Sequence, residues 1–519
     1  MRHILEQLAV LNVPITRLVM DSRNVQRGDT FVACPGERTD GRQFISQAIE
    51  RGANAVIWES QHFVWNDAWQ VPNLGVADLR HKAGWLADEV YGAPSGKMWT
   101  IGITGTNGKT STCHWIADGM NNAGKKCALI GTLGNGFADA LHASANTTPD
   151  VISVHTLFSY YLRDGAQAVA MEVSSHALAQ GRVNGVHFDI ALLTNLSRDH
   201  LDYHGDMGNY AASKRKLFEW DRLKYVVLNL DDKFGVELAE QLRNKTVELI
   251  AYGMSDASLK LAGQLGIRMV HGHLVEMSGQ GLRLEILTSW GRAQLNCTLI
   301  GRFNATNLLG VLAVLLVSDI DLNDAVQSLS RVQAVAGRMQ RLGTAHQPAV
   351  IVDYAHTPDA LENVLLTLRE TCSESPVPSS VPADGMTRLT QVSTSARSRL
   401  ICVFGCGGDR DRGKRAMMGL VAEKFSDHCI VTSDNPRSED PIHIINEVVS
   451  GMTSKNHEVI VDRAAAIARA IAMARQIDTV LVAGKGHEDY QEIKGVKHPF
   501  SDVAVVQKVL QSWRAGSAV

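Results

Sequence analysis

Three observations predict an α/β chain of three units: a small N-terminal α/β unit, a central P-loop-type parallel sheet and a C-terminal Rossmann-like α/β unit. Short apolar strand signals alternate with helical stretches, the pattern of a mainly parallel sheet covered on both faces. One such strand, opening at Trp99, runs into a Gly-rich turn and then Lys109-Thr110-Ser111 at the start of a helix. Four strands of the C-terminal third end in polar, charged clusters, as expected of a ligand site at the carboxyl ends of parallel strands. At 519 residues the chain exceeds one core and suits about three domains of ~100–200 residues each. The expected boundaries are 1–96, 97–336 and 337–519.

Composition narrows the function classes. Apolar residues at 45% and charged residues at 20% are ordinary globular values. A formal net charge of -3 gives no basic field, which argues against nucleic acid as the main partner. Any anionic ligand must be held by local groups. The eight cysteines mostly stand singly, and Cys402 and Cys406 lack a second pair to complete a metal site. Reduced structural thiols in a cytoplasmic protein follow. The start, Met1 to Gln7, has no signal-peptide core. The apolar run Leu308 to Ser318 falls short of the ~20 residues that cross a bilayer. A soluble monomer acting on small molecules, with no membrane partner, is expected.

In the first unit, Gly28-Asp29-Thr30-Phe31-Val32-Ala33 reads as a turn into a strand, Phe44 to Ile49 as a helix and Ala55 to Trp58 as a further strand. The loop Pro35 to Gly41 is polar and flanked by Gly, suiting solvent or a ligand, and Gly92 to Gly96 is a natural linker.

The central unit opens on its most informative stretch. Thr100, Ile101 and Ile103 form a β-branched run, and Trp115, Ile116 and Met120 share one side of the following helix. Between them, Gly105 and Gly108, which flank Thr106 and Asn107, let backbone N–H groups approach an anion, with the helix N-terminus adding partial positive charge. Lys109 would reach the outer phosphates and the Thr110 hydroxyl would ligate Mg²⁺. The strict P-loop pattern places a Gly where this chain has Ile103. The strand Ala168 to Met171 runs into Glu172, where a second Mg²⁺ contact belongs beside a phosphate loop. The strand Ile190 to Leu193 leads to Asp199-His200, a pair equally able to serve structure. Lys214 and Lys216 lie on one basic helix and composition does not separate them. From Ser255 to about Leu299 strands and turns predict an addition to the sheet. Asn304 and Asn307 then open an apolar helix reaching Val317.

In the third unit the strand from Ala349 ends in Asp353-Tyr-Ala-His356-Thr-Pro358, with Pro in the first helical turn. Leu400 to Phe404 ends in Gly405-Cys-Gly-Gly-Asp409-Arg410. Cys429 to Val431 leads to Asp434-Asn435-Pro436-Arg437, and Thr479 to Val482 to Gly484-Lys485-Gly-His487-Glu488. The Ser/Pro/Thr-rich stretch 372–398 reads as a surface loop.

Thr104-Gly-Thr-Asn-Gly-Lys-Thr110, Asp353-Tyr-Ala-His-Thr-Pro358 and Asp434-Asn-Pro-Arg437 occur in that order. With them the chain resembles the Mur ligases over nearly its whole length, and among them those that add the third residue of the peptidoglycan stem peptide. The resemblance implies an ATP-dependent amide ligase with a UDP-binding N-terminal domain, a central ATPase domain and a C-terminal domain that closes over the site. It implies that ATP phosphorylates a carboxylate of UDP-N-acetylmuramoyl-L-Ala-D-Glu and that an amine attacks the acyl phosphate. Lys109, Glu172, His200 and Lys214 resemble the catalytic set, with Thr110, Glu172, His200 and Lys214 as its carbamate around Mg²⁺. Gly105 to Ser111, Asn304, Arg338 and Asp353 resemble the ATP contacts. For the UDP-sugar peptide the matching positions are Met20, Ser22, Glu37, Arg38, Thr39, Asn146, Thr147, Thr148, Ser174, Gln180 and Arg182. The Asp434–Arg437 run resembles the version that takes meso-2,6-diaminopimelate. Arg437 would grip the far carboxylate with two parallel hydrogen bonds. Arg410 would hold the near carboxylate, and Gly484 and Glu488 the far ammonium, with Asp434, Asn435 and Pro436 around them. The chain departs from the family in a longer, more polar 372–398 segment and in Ser111, where Thr is common. The competing class is a nucleotide switch, which would leave Arg410, Arg437 and Glu488 without a role.

Overall fold

The computed structural model describes residues 8, 12–37, 39–144, 146–279, 281–344, 346–372, 397–454 and 456–513. The expected surface loop and the N-terminal start, Met1 to Gln7, therefore lie outside the described residues for most or all of their length. Three stacked α/β units follow one another along the chain. The first carries a four-stranded parallel sheet in the order Leu18–Val19, Thr30–Ala33, Ala55–Glu59, Asn73–Val76. The last carries a six-stranded sheet in which Ala349–Asp353, Thr479–Ala483, Leu400–Phe404, His428–Val431 and His457–Val459 run parallel in that spatial order. The four polar-ended strands expected from sequence are thus immediate neighbours.

The central sheet has eleven strands. Trp99–Thr104 lies in its middle, between Ile190–Leu193 and Ala168–Glu172. The register sets Ile103 opposite Glu172 and Thr104 opposite Leu193, so three loops leave the sheet side by side. The expected addition after Ser255 is an antiparallel extension through Arg268–Ser278, Gly281–Thr288 and Gly291–Cys297. Its last strand ends at Cys297, just short of the Leu299 expected from sequence.

Two apolar layers hold the sheet. On one face Ile101 and Ile103 pack with Trp115, Ile116 and Met120 of the helix Lys109–Asn122. The helix Arg302–Val317 lies in the same layer. It is apolar on all sides, and a helix of that kind must be buried; every residue from Leu308 to Val317 is. The other face packs Ile130, Met171 and Leu193 against Val154, Phe158 and Leu217.

The N-terminal unit meets the central one backbone to backbone. Gly84, on the helix Leu79–Val90, has room for no side chain, because a Cβ there would lie 1.9 Å from the Asn184 carbonyl oxygen. Since the opposing atom is main chain, it cannot swing aside. Gly84→Ala is expected to destabilise the protein by about 1–3 kcal/mol, read as a lower urea midpoint at unchanged slope. An unaltered midpoint would mean that the two units are not pressed together there.

Candidate active site

The chain leaves Thr104 through a turn that two glycines make feasible. Gly105 has φ +151 and a Cβ on it would meet Thr194 Oγ1 at 1.8 Å; Gly108 has φ +86 and its Cβ would meet Asn307 Oδ1 at 2.8 Å. The neighbouring strand end fastens the loop. Thr106 N donates to Asn195 O and Asn107 N to Asn195 Oδ1, both at 2.9 Å, and Thr194 Oγ1 donates to Asn107 O at 2.6 Å. Lys109 Nζ folds back and donates to Gly105 O at 2.8 Å and Thr106 O at 2.9 Å. Lys214 Nζ donates to the same Gly105 O at 2.7 Å. Two lysine amino groups therefore share one carbonyl. Burial first, and then the charge of Lys109, push Lys214 well below the usual lysine range; burial lowers Lys109 as well. The structure also separates the two lysines that composition could not: Lys214 is buried and Lys216 exposed.

Glu172 lies beside this loop. Its Oε1 accepts from Thr132 N at 2.8 Å, and its Oε2 from the hydroxyls of Thr110 at 3.0 Å and Thr132 at 3.2 Å. Arg338 donates to Thr110 Oγ1 at 3.2 Å while its guanidinium stacks 4.2 Å from the Tyr354 ring centroid. Ser111 is buried in the first helical turn, and Asn304 donates to Ile300 O at 2.8 Å in the first turn of its own helix. Asp353 is spoken for by backbone: Met339 N and Ala355 N each donate to it at 2.7 Å. It fixes the turn that carries Arg338.

His200 stands with its Nε2 3.3 Å from Asp199 Oδ2. Two groups of the third unit reach the same carboxylate, His356 at 3.6 Å and Lys414 at 3.7 Å. Burial would raise Asp199, but the His356 hydrogen bond and the charges of His200, His356 and Lys414 outweigh it and hold the carboxyl well below the usual range. Asp199 is thus a tie between the central and C-terminal units.

A cavity of about 1650 Å³ opens among the three units. The first contributes Met20 and Glu37, the second Asn146, Thr147, Thr148, Ser174, Gln180, Arg182 and His200, and the third Arg410, Asp434, Asn435, Arg437, Gly484 and Glu488. A hydrogen-bonded path runs along one wall. Tyr203 donates to Glu37 at 2.7 Å and accepts from Gln180 at 3.3 Å; Arg182 donates to Gln180 at 2.6 Å and to Thr148 O at 2.9 Å; Thr148 donates to Glu172 O at 2.8 Å. Three expected positions are placed otherwise, and a fourth is not described. Ser22 is buried with its hydroxyl donating to Gln47 at 2.6 Å, Thr39 and Pro436 are not part of the wall, and Arg38 lies outside the described residues. The loop 105–111 is not part of the wall either, being drawn around its own lysine.

In the third unit a hairpin, Tyr490–Ile493 with Val496–Pro499, braces Arg437. Arg437 N donates to Glu492 O at 3.0 Å and Lys494 N to Arg437 O at 2.7 Å. The guanidinium donates to Gly408 O at 2.7 Å and stands 3.4 Å from the Glu492 carboxylate. Gly484, at φ +116, passes so close to Asp434 that a Cβ would fall 2.7 Å from its Oδ2. Arg410 is exposed on the cavity rim.

Family models match in chain order: "Mur ligase family, catalytic domain" over 14–91, "Mur ligase middle domain" over 103–315, and "Mur ligase, glutamate ligase domain" over 337–377 and 383–486. The UDP-N-acetylmuramoyl-L-alanyl-D-glutamate–2,6-diaminopimelate ligase of Nitrosomonas europaea is 50% identical over 500 residues, 96% of this chain and 94% of its own. The chain belongs to the Mur ligase family. A solved structure titled as a ligase of that same kind is 33% identical, with a TM-score of 0.64 over 96% of this chain and 95% of its own. The Mur ligase fold extends further: MurF from Thermotoga maritima in complex with ADP, at 16% identity, superposes with a TM-score of 0.60 over 96% and 97% of the two chains.

Several residues of this Mur ligase site escaped the sequence reading. Tyr203 sits in the polar run after Asp199-His200, where an aromatic among turn formers was the available signal. Asp199 was visible only as half of a pair of uncertain meaning. Lys485 stood in the cluster Gly484 to Glu488 with no role assigned, and Glu492 gave no signal, because Asn435 and Arg437, their partners across the fold, are distant in sequence.

Proposed function

We propose that this Mur ligase joins meso-2,6-diaminopimelate to UDP-N-acetylmuramoyl-L-alanyl-D-glutamate, using ATP, as a step of peptidoglycan precursor synthesis. The observation that carries this reading is one cavity in which His200 and Thr148 of the central unit face Arg437 and Glu488 of the third. A carboxylate is a poor electrophile. Transfer of the ATP γ-phosphoryl group to it releases ADP and gives an acyl phosphate; the diaminopimelate amine then attacks the carbonyl carbon and phosphate leaves. We assign the phosphates to Gly105–Ser111, with Asn304, Arg338 and Asp353 on the rest of the nucleotide, and the UDP-sugar peptide to the wall from Met20 and Glu37 to Arg182. The three units are taken to divide at 96/97 and 336/337. Nucleotide substrates of this kind place the reaction in the cytoplasm. Among the described residues no helix is long and apolar enough to cross a membrane.

Magnesium fits this site on conditions. Among the described residues no three His, Cys, Asp or Glu side chains are spaced to hold a metal, but Mg²⁺ commonly takes one or two protein ligands and completes its shell with phosphate and water. The Thr110 hydroxyl and Glu172 carboxylate, 3.0 Å apart, are such oxygen donors, and His200 lines the cavity. A Lys214 ammonium would repel the ion. Burial keeps that amine toward its neutral form, which can add to CO₂; with loss of a proton it becomes a carbamate anion able to join the donors. Bound magnesium would screen the charge between the γ-phosphate and the substrate carboxylate.

The test is phosphate release with ATP, Mg²⁺ and the UDP-muramoyl dipeptide, comparing meso-diaminopimelate with L-lysine. Release is expected to need both the nucleotide sugar and diaminopimelate, to respond hardly at all to lysine, and to stop when EDTA is added. Dependence on lysine would retain the ligase and remove the assignment of Arg437. Release independent of any amine would favour the nucleotide switch.

A further inference from the structure

Lys485 is fully buried at the carboxyl end of the strand Thr479–Ala483, behind the cavity wall. Its ammonium donates to Asn435 Oδ1 at 3.0 Å and to Glu488 Oε2 at 2.9 Å. Asn435 closes the triangle by donating from Nδ2 to the same Glu488 oxygen at 2.8 Å, and Glu492 N donates to Asn435 Oδ1 at 2.9 Å. A buried ammonium is an expensive way to stabilise a fold, since an apolar side chain of the same volume often does as well or better. Its partners here are informative: Glu488 and Asn435 both face the cavity.

We infer that Lys485 is a positioning residue that sets the specificity of the amino-acid site, by holding the Glu488 carboxylate oriented to accept the far ammonium of the incoming amino acid. Both internal hydrogen bonds fall on Oε2, which leaves Oε1 to take the ligand. Arg437 has the matching arrangement, with Glu492 behind it. The four groups, two cationic and two anionic, are neutral together. A far end carrying both an ammonium and a carboxylate keeps that balance; one carrying an ammonium alone does not. The inference rests on the proposed role of Glu488.

The experiment compares meso-diaminopimelate with 2-aminopimelate, which keeps both carboxylates and lacks only the far amine. Wild-type enzyme is expected to prefer diaminopimelate in kcat/KM by about 100-fold or more. In Lys485→Met that preference is expected to fall by about 10-fold or more, through KM for diaminopimelate, with KM for ATP and for the UDP-muramoyl dipeptide unchanged. If Lys485 only supports the fold, both amino acids lose equally; an unchanged preference would overturn the inference. A wild-type enzyme with no preference would instead overturn the role of Glu488. Should Lys485→Met fail to fold, Lys485→Gln, which keeps a donor and removes the charge, is expected to show a smaller fall, and a preference equal to wild type in it overturns the inference equally.

Discussion

Lys109→Ala will lower phosphate release in the presence of all substrates by about 1000-fold or more, while the protein remains folded. The fold should survive, because Ala is the best helix former and Lys109 is the first residue of the helix Lys109–Asn122. Phosphoryl transfer offers little for a protein to do except position and neutralise charge. Here the positive group able to do so is Lys109, whose Nζ shares one carbonyl, Gly105 O, with the Lys214 amine. Removing the first also relieves the second of a like charge, so the Lys214 amine will move up toward the ordinary lysine range and become less ready to add CO₂. The variant should therefore lose activity twice over, and added bicarbonate should fail to restore it. Near-normal release, with thermal stability like that of wild type, would show that this loop is not the phosphate site.

The parts of the molecule legible in the sequence are those whose chemistry is local. Trp99–Thr104 could be read from its β-branched run, and the turn after it from two glycines whose positive φ angles confirm the need for them. The four polar-ended strands of the third unit were readable for the same reason. What escaped depends on pairing across long stretches of chain. The strand Gln340–Leu342 and the hairpin 490–499 are short and half polar, so they have no periodicity to show and form because a neighbour offers an edge. Ser22 was a UDP-sugar position by resemblance alone, and nothing in its neighbours in sequence discloses the hydrogen bond its hydroxyl donates to Gln47. Lys485 is the sharpest case. In sequence it is one more basic residue in a loop, and only the folding of Asn435 and Glu488 around it makes it a buried charge with a purpose.

Arg437→Ala will reduce kcat/KM for meso-diaminopimelate by about 1000-fold or more and leave KM for ATP and for the UDP-muramoyl dipeptide nearly unaltered. The guanidinium is held by Gly408 O and Glu492 from inside the protein, so its orientation is fixed before ligand arrives and little entropy is lost on binding. Arg437→Lys should fail almost as badly: an ammonium cannot reproduce the planar fork that meets a carboxylate through two parallel bonds. Its backbone has φ +51, a conformation that Ala and Lys adopt with strain comparable to that of Arg, so the pairing with the hairpin should persist and thermal stability should change little. Loss of the guanidinium leaves Glu492 without its partner beside the cavity, and this sets the direction of the specificity change. The balanced four-charge set becomes net negative, which disfavours a far carboxylate and tolerates a far ammonium alone. Discrimination against L-lysine, expected to be about 10⁴-fold in wild type, should therefore shrink from both sides. Diaminopimelate kinetics close to wild type in either variant would remove Arg437 from the amino-acid site and leave Glu488 with Lys485 as the remaining basis for the choice.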